Sequence, residues 1–229
     1  MRAVVLLSGG LDSTVVLAMA LEQGIECMAL SFDYGQHHKI ELESAKAVAS
    51  RYSVPHQIIT IDPSAFGRSA LISGEGISKD RAEAQIKSSG TPSTYVPARN
   101  TIFLSFALAH AEIWNADEIH IGPNAMDTVY PDCSAGFIEA FQLVMNVATK
   151  QGADGHPPKL VAPLLQMNKS DIVRQGKRLN APIDLTFSCY DPIKGSKPCQ
   201  RCDACILREI NFSVVNSKQP LSSFPAVLD

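Results

Sequence analysis

The sequence predicts an α/β fold in which a doubly wound parallel sheet is followed by a small C-terminal appendage. Strand and helix patterns alternate over residues 1–61 in the order βαβαβ, which implies right-handed crossovers between parallel strands. The predicted strands are continuous apolar runs, as expected for strands that are buried on both faces of a sheet. Near the C-terminal end the alternation stops, and four cysteines lie within 17 residues.

The N-terminal elements follow from local patterns. Residues 3–7 are a short apolar run and predict the first strand. Residues 13–24 predict a helix, because Ser13 is a suitable N-cap and Gly24 a suitable C-terminal end. The next predicted elements are a strand over 25–32, a helix over 41–52 and a strand over 56–61.

Residues 62–93 differ from this pattern. They are rich in serine, glycine and charged residues, and they show little periodicity. A segment of this length without secondary structure is uncommon inside a compact domain and is often functional. We therefore predict either a lid over a functional site or a flexible insertion.

The second half of the chain resumes the alternation and then loses it. The predicted elements are helices over 101–114, 137–150 and 170–179, and strands over 118–122 and 161–165. Ser170 is the predicted N-cap of the last of these helices. Because the cysteine-rich pattern begins after Pro182, we divide the chain into a main domain, 1–182, and a C-terminal region with a tail, 183–229.

Composition excludes several classes of protein. The chain has 229 residues, of which 45% are hydrophobic and 19% charged, as is ordinary for a globular protein. Its net charge of −3 argues against a broad nucleic-acid-binding surface. No apolar run approaches the roughly 20 residues of a membrane span, and the N-terminus lacks a secretory cleavage site. We therefore expect a cytoplasmic protein without a membrane partner, whose cysteines are thiols or metal ligands rather than disulfides.

A glycine-containing motif, SGGLDS at residues 8–13, lies between the first predicted strand and helix. Gly9 and Gly10 let backbone amides approach a ligand closely, and a helix N-terminus beside them favours an anion. A carboxylate at such a site is unfavourable unless a cation offsets its charge, so we expect Asp12 to bind Mg²⁺ together with phosphate oxygens. The alternative is a plain strand-to-helix turn, and the common phosphate loop, GxxxxGKS/T, is absent.

The motif SGGxDS resembles the pyrophosphate loop of the N-type ATP pyrophosphatases. The resemblance implies an adenine nucleotide alpha hydrolase-like fold and cleavage of ATP between its α and β phosphates, which gives an adenylate. It also implies which residues contact the nucleotide: Leu7, Ser8, Gly9, Gly10, Leu11, Asp12, Ser13, Thr14, Val15, Val16, Leu17 and Phe32.

Further motifs narrow the resemblance. They are SFDYGQ at 31–36, STYVPARN at 93–100, YPDC at 130–133, NVATK at 146–150, APL at 162–164 and SCYDP at 188–192. In combination they resemble the 7-cyano-7-deazaguanine synthase (QueC) family over residues 1–212. The resemblance implies that ATP activates the carboxylate of 7-carboxy-7-deazaguanine and that ammonia gives the amide. A second ATP then gives the nitrile, preQ0, in queuosine biosynthesis. It also implies a homodimer.

The same resemblance implies a set of catalytic residues: Asp12, Ser13, Arg99, Asp132 and Lys169. Arg99 and Lys169 would offset the charge that develops at the α-phosphate. Asp132 would orient the deazaguanine or bind Mg²⁺. Each has a simpler alternative: a helix-terminal or surface ion pair for Arg99, a solvated side chain for Lys169, and turn formation after a proline for Asp132.

The cysteine cluster has the spacing C-x9-C-x2-C-x2-C and consists of Cys189, Cys199, Cys202 and Cys205. Four thiolates at this spacing suit tetrahedral ligation of one Zn²⁺. An iron–sulfur cluster is the main alternative, although the C-x3-C-P continuation of ferredoxin-type sequences is missing. The family resemblance also favours structural zinc. Nearby basic residues that would offset the thiolate charge are Lys197, Arg201 and Arg208.

Three positions depart from the family pattern. His37 and Ser134 stand where the family usually has arginine, and the LREINF sequence ending at Phe212 lacks the expected glycine. These departures leave open a paralogue that keeps adenylation but stops at the amide, or that joins the deazaguanine to an amine on a protein or another macromolecule. A tRNA thiolase is a further alternative. The net charge of −3 and the use of four cysteines in one cluster argue against it. An inactive nucleotide-binding or zinc-scaffold module is disfavoured by the complete loop.

Overall fold

The computed structural model describes residues 1–36, 39–66, 69–88, 90–193 and 197–216. Its centre is a parallel sheet of five strands: β1 (Arg2–Leu6), β2 (Glu26–Asp33), β3 (His56–Thr60), β4 (Glu118–His120) and β5 (Lys159–Val161). The strand order is β3-β2-β1-β4-β5, and every neighbouring pair is parallel. The predicted doubly wound sheet is therefore confirmed. The order reverses at β1, which is where such sheets bind their ligands.

Helices cover both faces of the sheet. They are α1 (Leu11–Glu22), α2 (Ile40–Arg51), α3 (Ala70–Ser73), α4 (Glu83–Ser88), α5 (Arg99–Trp114), α6 (Ala135–Ala148), α7 (Lys150–Ala153), α8 (Lys169–Arg178) and α9 (Asp203–Asn216). Alternate residues of β1 belong to separate cores: Ala3 and Val5 pack with α1, α2 and α8, whereas Val4 and Leu6 pack with α5 and α6. This burial on both faces explains why the strands are continuous apolar runs.

Two predicted helix caps are wrong. α1 begins two residues earlier than predicted, with Gly10 at its N-cap, and the Ser13 hydroxyl donates to the Gly10 carbonyl oxygen at 3.2 Å. α8 is capped by Asn168, whose Oδ1 accepts from the backbone N–H of Asp171 at 3.0 Å. Ser170 instead donates to Asn211 of α9 at 2.7 Å. Asn and Ser are both good caps, so composition alone does not choose between neighbouring positions.

The last predicted strand, 161–165, is also wrong, because β5 ends at Val161. The chain turns after Val161, where the backbone N–H of Leu165 donates to the Ala162 carbonyl oxygen at 3.2 Å, and Leu164 enters the core. The other predicted elements agree with the structure to within two residues at each end.

Residues 62–93 contain more regular structure than expected. They form a 3₁₀ turn, Pro63–Phe66, followed by α3 and α4. Phe66 is buried against the rings of Tyr34 and Phe103, with centroids 5.5 Å and 6.2 Å away. This part of the segment is therefore packed on the main domain, and the lid and the flexible insertion both stay predictions.

The C-terminal region continues from the main domain through α9. The side chains of α8 and α9 are joined by the bond from Ser170 to Asn211 and by one from Lys177 to Asn216 at 2.5 Å. The division at residue 182 stays a prediction. No helix among the described residues combines the length and apolar character that crossing a bilayer requires.

Candidate active site

A cavity of about 610 Å³ opens at the carboxyl ends of β1 and β4 and reaches α9. All five predicted catalytic residues line it, although they come from distant parts of the chain. The predicted nucleotide-contacting residues that also line it are Leu7, Ser8, Gly10, Leu11 and Phe32. The cavity therefore gathers most of the predicted site at the point where the strand order reverses.

The glycine-containing loop forms one wall. The hydroxyl oxygens of Ser8 and Ser13 are 3.0 Å apart, and the backbone N–H of Gly10 donates to Ser8 Oγ at 3.3 Å. Gly9 has φ of +86°, and a Cβ there would lie 2.1 Å from the carbonyl oxygen of Glu41. Only glycine therefore permits the loop to pack this closely on α2.

Five other predicted nucleotide contacts do not line the cavity: Gly9, which packs on α2, and four residues of α1. Thr14 donates from its hydroxyl to the Gly10 carbonyl oxygen at 2.9 Å. The side chains of Val15, Val16 and Leu17 are fully buried in the core between α1 and the sheet. These residues hold α1 and its loop in place from behind the cavity.

Asp12 is the centre of a polar network. Its Oδ2 pairs with Lys169 and accepts from Asn124 Nδ2 at 3.3 Å. Its Oδ1 is buried and has no hydrogen-bond partner among the described residues. Because an unsatisfied buried carboxylate oxygen is costly, this atom is suited to a hard cation such as Mg²⁺.

Lys169 is held in its charged form. Burial disfavours the charge, but the carboxylates of Asp12 and Asp127 more than offset this and raise the pKa of Lys169. The simpler alternative of a solvated lysine therefore does not describe it. The cavity thus contains a fixed positive charge next to the loop.

Asp127 is a site residue that sequence reasoning missed. Its Oδ2 accepts from the backbone N–H of Asn124 at 3.0 Å and from the side chain of Asn124 at 2.5 Å. Burial raises the pKa of Asp127, while Lys169 opposes the shift. Its position in the sequence, five residues before the predicted site residue Asp132, could have identified it as a candidate.

Arg99 is the first residue of α5. It follows Ala98, whose left-handed backbone, with φ of 52°, is uncommon for alanine. Its Nη1 donates to the Tyr34 hydroxyl at 3.5 Å, and no carboxylate of the described residues lies within ion-pair distance. Arg99 is therefore available to an anion in the cavity, whereas the ion-pair alternative finds no partner in the described part of the chain.

Asp132 links the turn Pro131–Cys133 to the start of α5 by hydrogen bonds. Its Oδ2 accepts from the backbone N–H of Asn100 at 2.8 Å, and its carbonyl accepts from Asn100 Nδ2 at 2.8 Å. The turn-forming alternative is thus seen in the structure, and the buried carboxylate lines the cavity as well. Burial raises the pKa of the adjacent Cys133 thiol to about 12, so the thiol stays protonated and is a poor nucleophile.

One departure from the family pattern, Ser134, directly follows Cys133, which lines the cavity. Ser134 is the N-cap of α6, where its Oγ accepts from the backbone N–H of Phe137 at 3.1 Å. The serine therefore has a local structural role that an arginine side chain would not fill. His37 lies outside the described residues.

The four predicted metal-ligating cysteines come together. Their Sγ atoms all lie within 4.8 Å of one another, and those of Cys189 and Cys202 are 3.9 Å apart. Sulfurs around a tetrahedral Zn²⁺, with bonds of about 2.3 Å, would be about 3.8 Å apart. The backbone N–H of Cys199 donates to Cys189 Sγ at 3.2 Å. Hydrogen bonds of this kind stabilise the negative charge of thiolate ligands. The cluster can therefore hold a metal ion.

The predicted basic neighbours of the cluster have other partners. Arg201 pairs with Asp80, and Arg208 donates to Ser188 Oγ at 3.2 Å. Lys197 forms an antiparallel backbone bridge with Ile193.

Residues 79–81 connect the cysteine cluster to the cavity. The ion pairs are Lys79 with Asp191 at 2.5 Å, Asp80 with Arg201, and Arg81 with Asp203. Lys79 also forms a backbone bridge with Cys202. Because Arg81 and Asp203 line the cavity, the cluster supports one of its walls.

Comparison with known proteins gives a consistent result. The family model for queuosine biosynthesis protein QueC matches residues 2–216. A 7-cyano-7-deazaguanine synthase from Anaeromyxobacter dehalogenans (strain 2CP-C) is 49% identical over 222 residues, which cover 96% of this chain and 94% of that protein. One from Kineococcus radiotolerans (strain ATCC BAA-149 / DSM 14245 / SRS30216) is 48% identical over 221 residues, 96% of both.

A solved structure shares the fold at low sequence identity. It is a predicted subunit of tRNA methyltransferase from Methanocaldococcus jannaschii DSM, with a TM-score of 0.50 and 18% identity. The match covers 77% of this chain and 74% of that one. At this identity the likeness concerns the fold alone.

Proposed function

The chain belongs to the queuosine biosynthesis protein QueC family, and on that premise we propose that it is an ATP-dependent 7-cyano-7-deazaguanine synthase. The carboxylate of 7-carboxy-7-deazaguanine attacks the α-phosphate of ATP and releases pyrophosphate. Ammonia displaces AMP from the adenylate, loses a proton and leaves the amide. The amide oxygen then attacks a second ATP, and loss of AMP and a proton gives the nitrile.

One observation carries this proposal: the loop and two cations face one cavity. Backbone amides at the start of α1 suit the departing pyrophosphate. Lys169 and Arg99 line the same cavity, so fixed positive charge is present where a phosphoryl group would react. Such preorganised charge stabilises the transition state because it needs no rearrangement when negative charge develops.

The bound metals have separate roles in the proposal. Asp12 would hold Mg²⁺ through its unpartnered Oδ1, and the ion would neutralise phosphate charge when bound. The four cysteines would hold a structural Zn²⁺, because four sulfur ligands leave no open coordination position. Zinc would therefore stabilise the C-terminal region and take no part in the reaction.

The amide-forming paralogue and the tRNA thiolase are not favoured. The curated relatives that match almost the full chain are named synthases. Ser134 has an N-cap role that accounts for its identity without a change of product.

Mass spectrometry of a reaction containing the protein, Mg-ATP, 7-carboxy-7-deazaguanine and ammonia tests the function. We expect preQ0, with two AMP and two pyrophosphate molecules released per nitrile. Accumulation of the amide alone, or a mass added to a protein, would favour the paralogue. Release of ADP and orthophosphate would contradict the proposal.

We further propose that the protein is a homodimer that pairs through an apolar patch on α5 and α6. The patch consists of Phe106, Ile113, Leu143, Val144 and Val147, which are 38%, 78%, 67%, 48% and 77% exposed. Large apolar side chains exposed on helix faces are typical of an interaction site, and the same residues on a second copy are suitable partners for a twofold contact.

Placing glutamates at Ile113 and Val147 should therefore convert the dimer into a monomer, because two charges would be buried in the contact. Sedimentation velocity measures the change. Arg51→Glu, at the exposed end of α2 on the opposite layer, is the control and should remain dimeric. A wild-type protein that sediments as a monomer at all concentrations would refute the patch as a dimer contact.

A further inference from the structure

Among the described residues, five carboxylates line the cavity, and four of them have partners. Asp12 pairs with Lys169, Asp127 accepts from Asn124, Asp132 accepts from Asn100, and Asp203 pairs with Arg81. The fifth, Glu41, accepts no hydrogen bond from the residues that the structure describes. It is therefore the carboxylate in this cavity that is left for a ligand.

Glu41 is fixed in position by the fold. It is the second residue of α2, and its backbone carbonyl faces Gly9 of the loop. Burial raises the pKa of Glu41 to about 7, and the charge of Arg99 opposes the shift. Burial also raises the pKa of Tyr34, and Glu41 contributes in the same direction, which places its carboxylate near the Tyr34 ring.

An unpaired carboxylate that has lost water needs hydrogen-bond donors, and two adjacent donors satisfy both oxygens. The phosphates of ATP are anionic and would be repelled. The adenine ring presents a donor next to an acceptor, which matches a carboxylate poorly. The pyrimidinone edge of a guanine-type base presents an N–H and an adjacent amino group, and this is a matching pair.

We propose that Glu41 recognises the guanine-type edge of 7-carboxy-7-deazaguanine by accepting its ring N–H and its 2-amino group. The inference rests on the proposed function, since it requires that substrate to enter the cavity. Arg99 forms no ion pair with Glu41 or with any other described carboxylate. It can therefore bind the carboxylate of the same substrate molecule. Glu41 is thus a specificity-determining residue, and the four other carboxylates serve the site in other ways.

Glu41→Gln tests the proposal, because glutamine keeps the size but turns one acceptor into a donor. By isothermal titration calorimetry, we expect the Kd for 7-carboxy-7-deazaguanine to rise about 10- to 100-fold, the range for charged hydrogen bonds. The Kd for Mg-ATP should stay unchanged, which also shows that the variant is folded. Glu43→Gln, an exposed residue of the same helix that pairs with Lys46, is the matched control and should bind both ligands normally.

An analogue that lacks the 2-amino group completes a double-mutant cycle. We expect wild type to bind the analogue more weakly than the substrate. We also expect Glu41→Gln to raise the Kd for the analogue by a smaller factor than it raises the Kd for the substrate. Equal losses for substrate and analogue, an unchanged substrate Kd, or a loss confined to Mg-ATP would each overturn the proposal. If wild type neither binds nor converts 7-carboxy-7-deazaguanine, the proposed function fails instead.

Discussion

Replacing Asp12 by asparagine should lower the rate of AMP release by about a hundred- to a thousandfold, the size of effect seen when a group that stabilises transition-state charge is removed. Asparagine has nearly the same shape but no charge, so it cannot balance the charge of Lys169 and binds a divalent cation far more weakly than a carboxylate does. The buried Oδ1 position, which has no partner among the described residues, would lose its affinity for Mg²⁺.

The fold should survive this substitution. Asp127 remains to interact with Lys169, and the adjacent core residues of α1 are unchanged. The measurement is AMP formation under saturating substrate, together with thermal unfolding. Glu22→Gln is the control on the same helix, because Glu22 lies at the far end and pairs with Arg178 on the surface. AMP release at the wild-type rate by Asp12→Asn would refute the role of Asp12.

A binding measurement separates the metal from the positioning of Lys169. If Asp12 holds Mg²⁺, wild type should bind Mg-ATP more tightly than metal-free ATP, and Asp12→Asn should lose that preference. If Asp12 only orients Lys169, the preference for Mg-ATP should persist while catalysis falls. The two ligands are compared by calorimetry on the same protein samples.

The architecture could be predicted because its signals are local. The residues of β1 alternate between two buried layers, so an apolar run without polar interruption was the expected pattern. The loop from Ser8 to Ser13 occupies the junction that its glycines and hydroxyls indicated. Both signals lie within about ten residues of sequence and do not depend on the rest of the chain.

Other parts of the site depend on contacts between distant residues. In the sequence, nothing distinguishes Glu41 from other charged residues at a helix start. The packing of α2 on the loop brings its carboxylate to the cavity. Asp127 acquires its role from Lys169, 42 positions later, since α8 returns to the same end of the sheet. Sequence patterns show which side chains carry charge, but the crossovers decide which charges meet.

The cysteine cluster has one feature that could be predicted from local sequence and one that depends on contacts between distant residues. The spacing of its four residues was enough to predict that their sulfur atoms converge. Its connection to residues 79–81 was not predictable, because the ion pairs join segments more than 100 positions apart. The weak periodicity of residues 62–93 reflects this: such a segment is ordered by partners elsewhere in the chain rather than by a repeating apolar face.

Replacing Cys202 by serine should release the metal and destabilise the protein strongly. Cys202 is fully buried, directly precedes α9, and forms a backbone bridge with Lys79. Loss of a structural metal belongs to the substitutions that cost about 4 kcal/mol or more. For a chain of this size that corresponds to a fall in Tm of about 8–16 °C.

Metal analysis and calorimetric unfolding of the two cysteine variants test this expectation. Cys27→Ser is the matched control: Cys27 is buried in β2 away from the cluster, and burial raises its thiol pKa to about 11. We expect wild type and Cys27→Ser to contain one zinc per chain and Cys202→Ser to contain little. Since the cluster supports the wall that carries Arg81, wild type treated with a chelator should also show faster amide exchange over residues 77–82. A metal-free wild-type protein with an unchanged Tm and unchanged exchange would show that the four cysteines do not need a metal to hold this region.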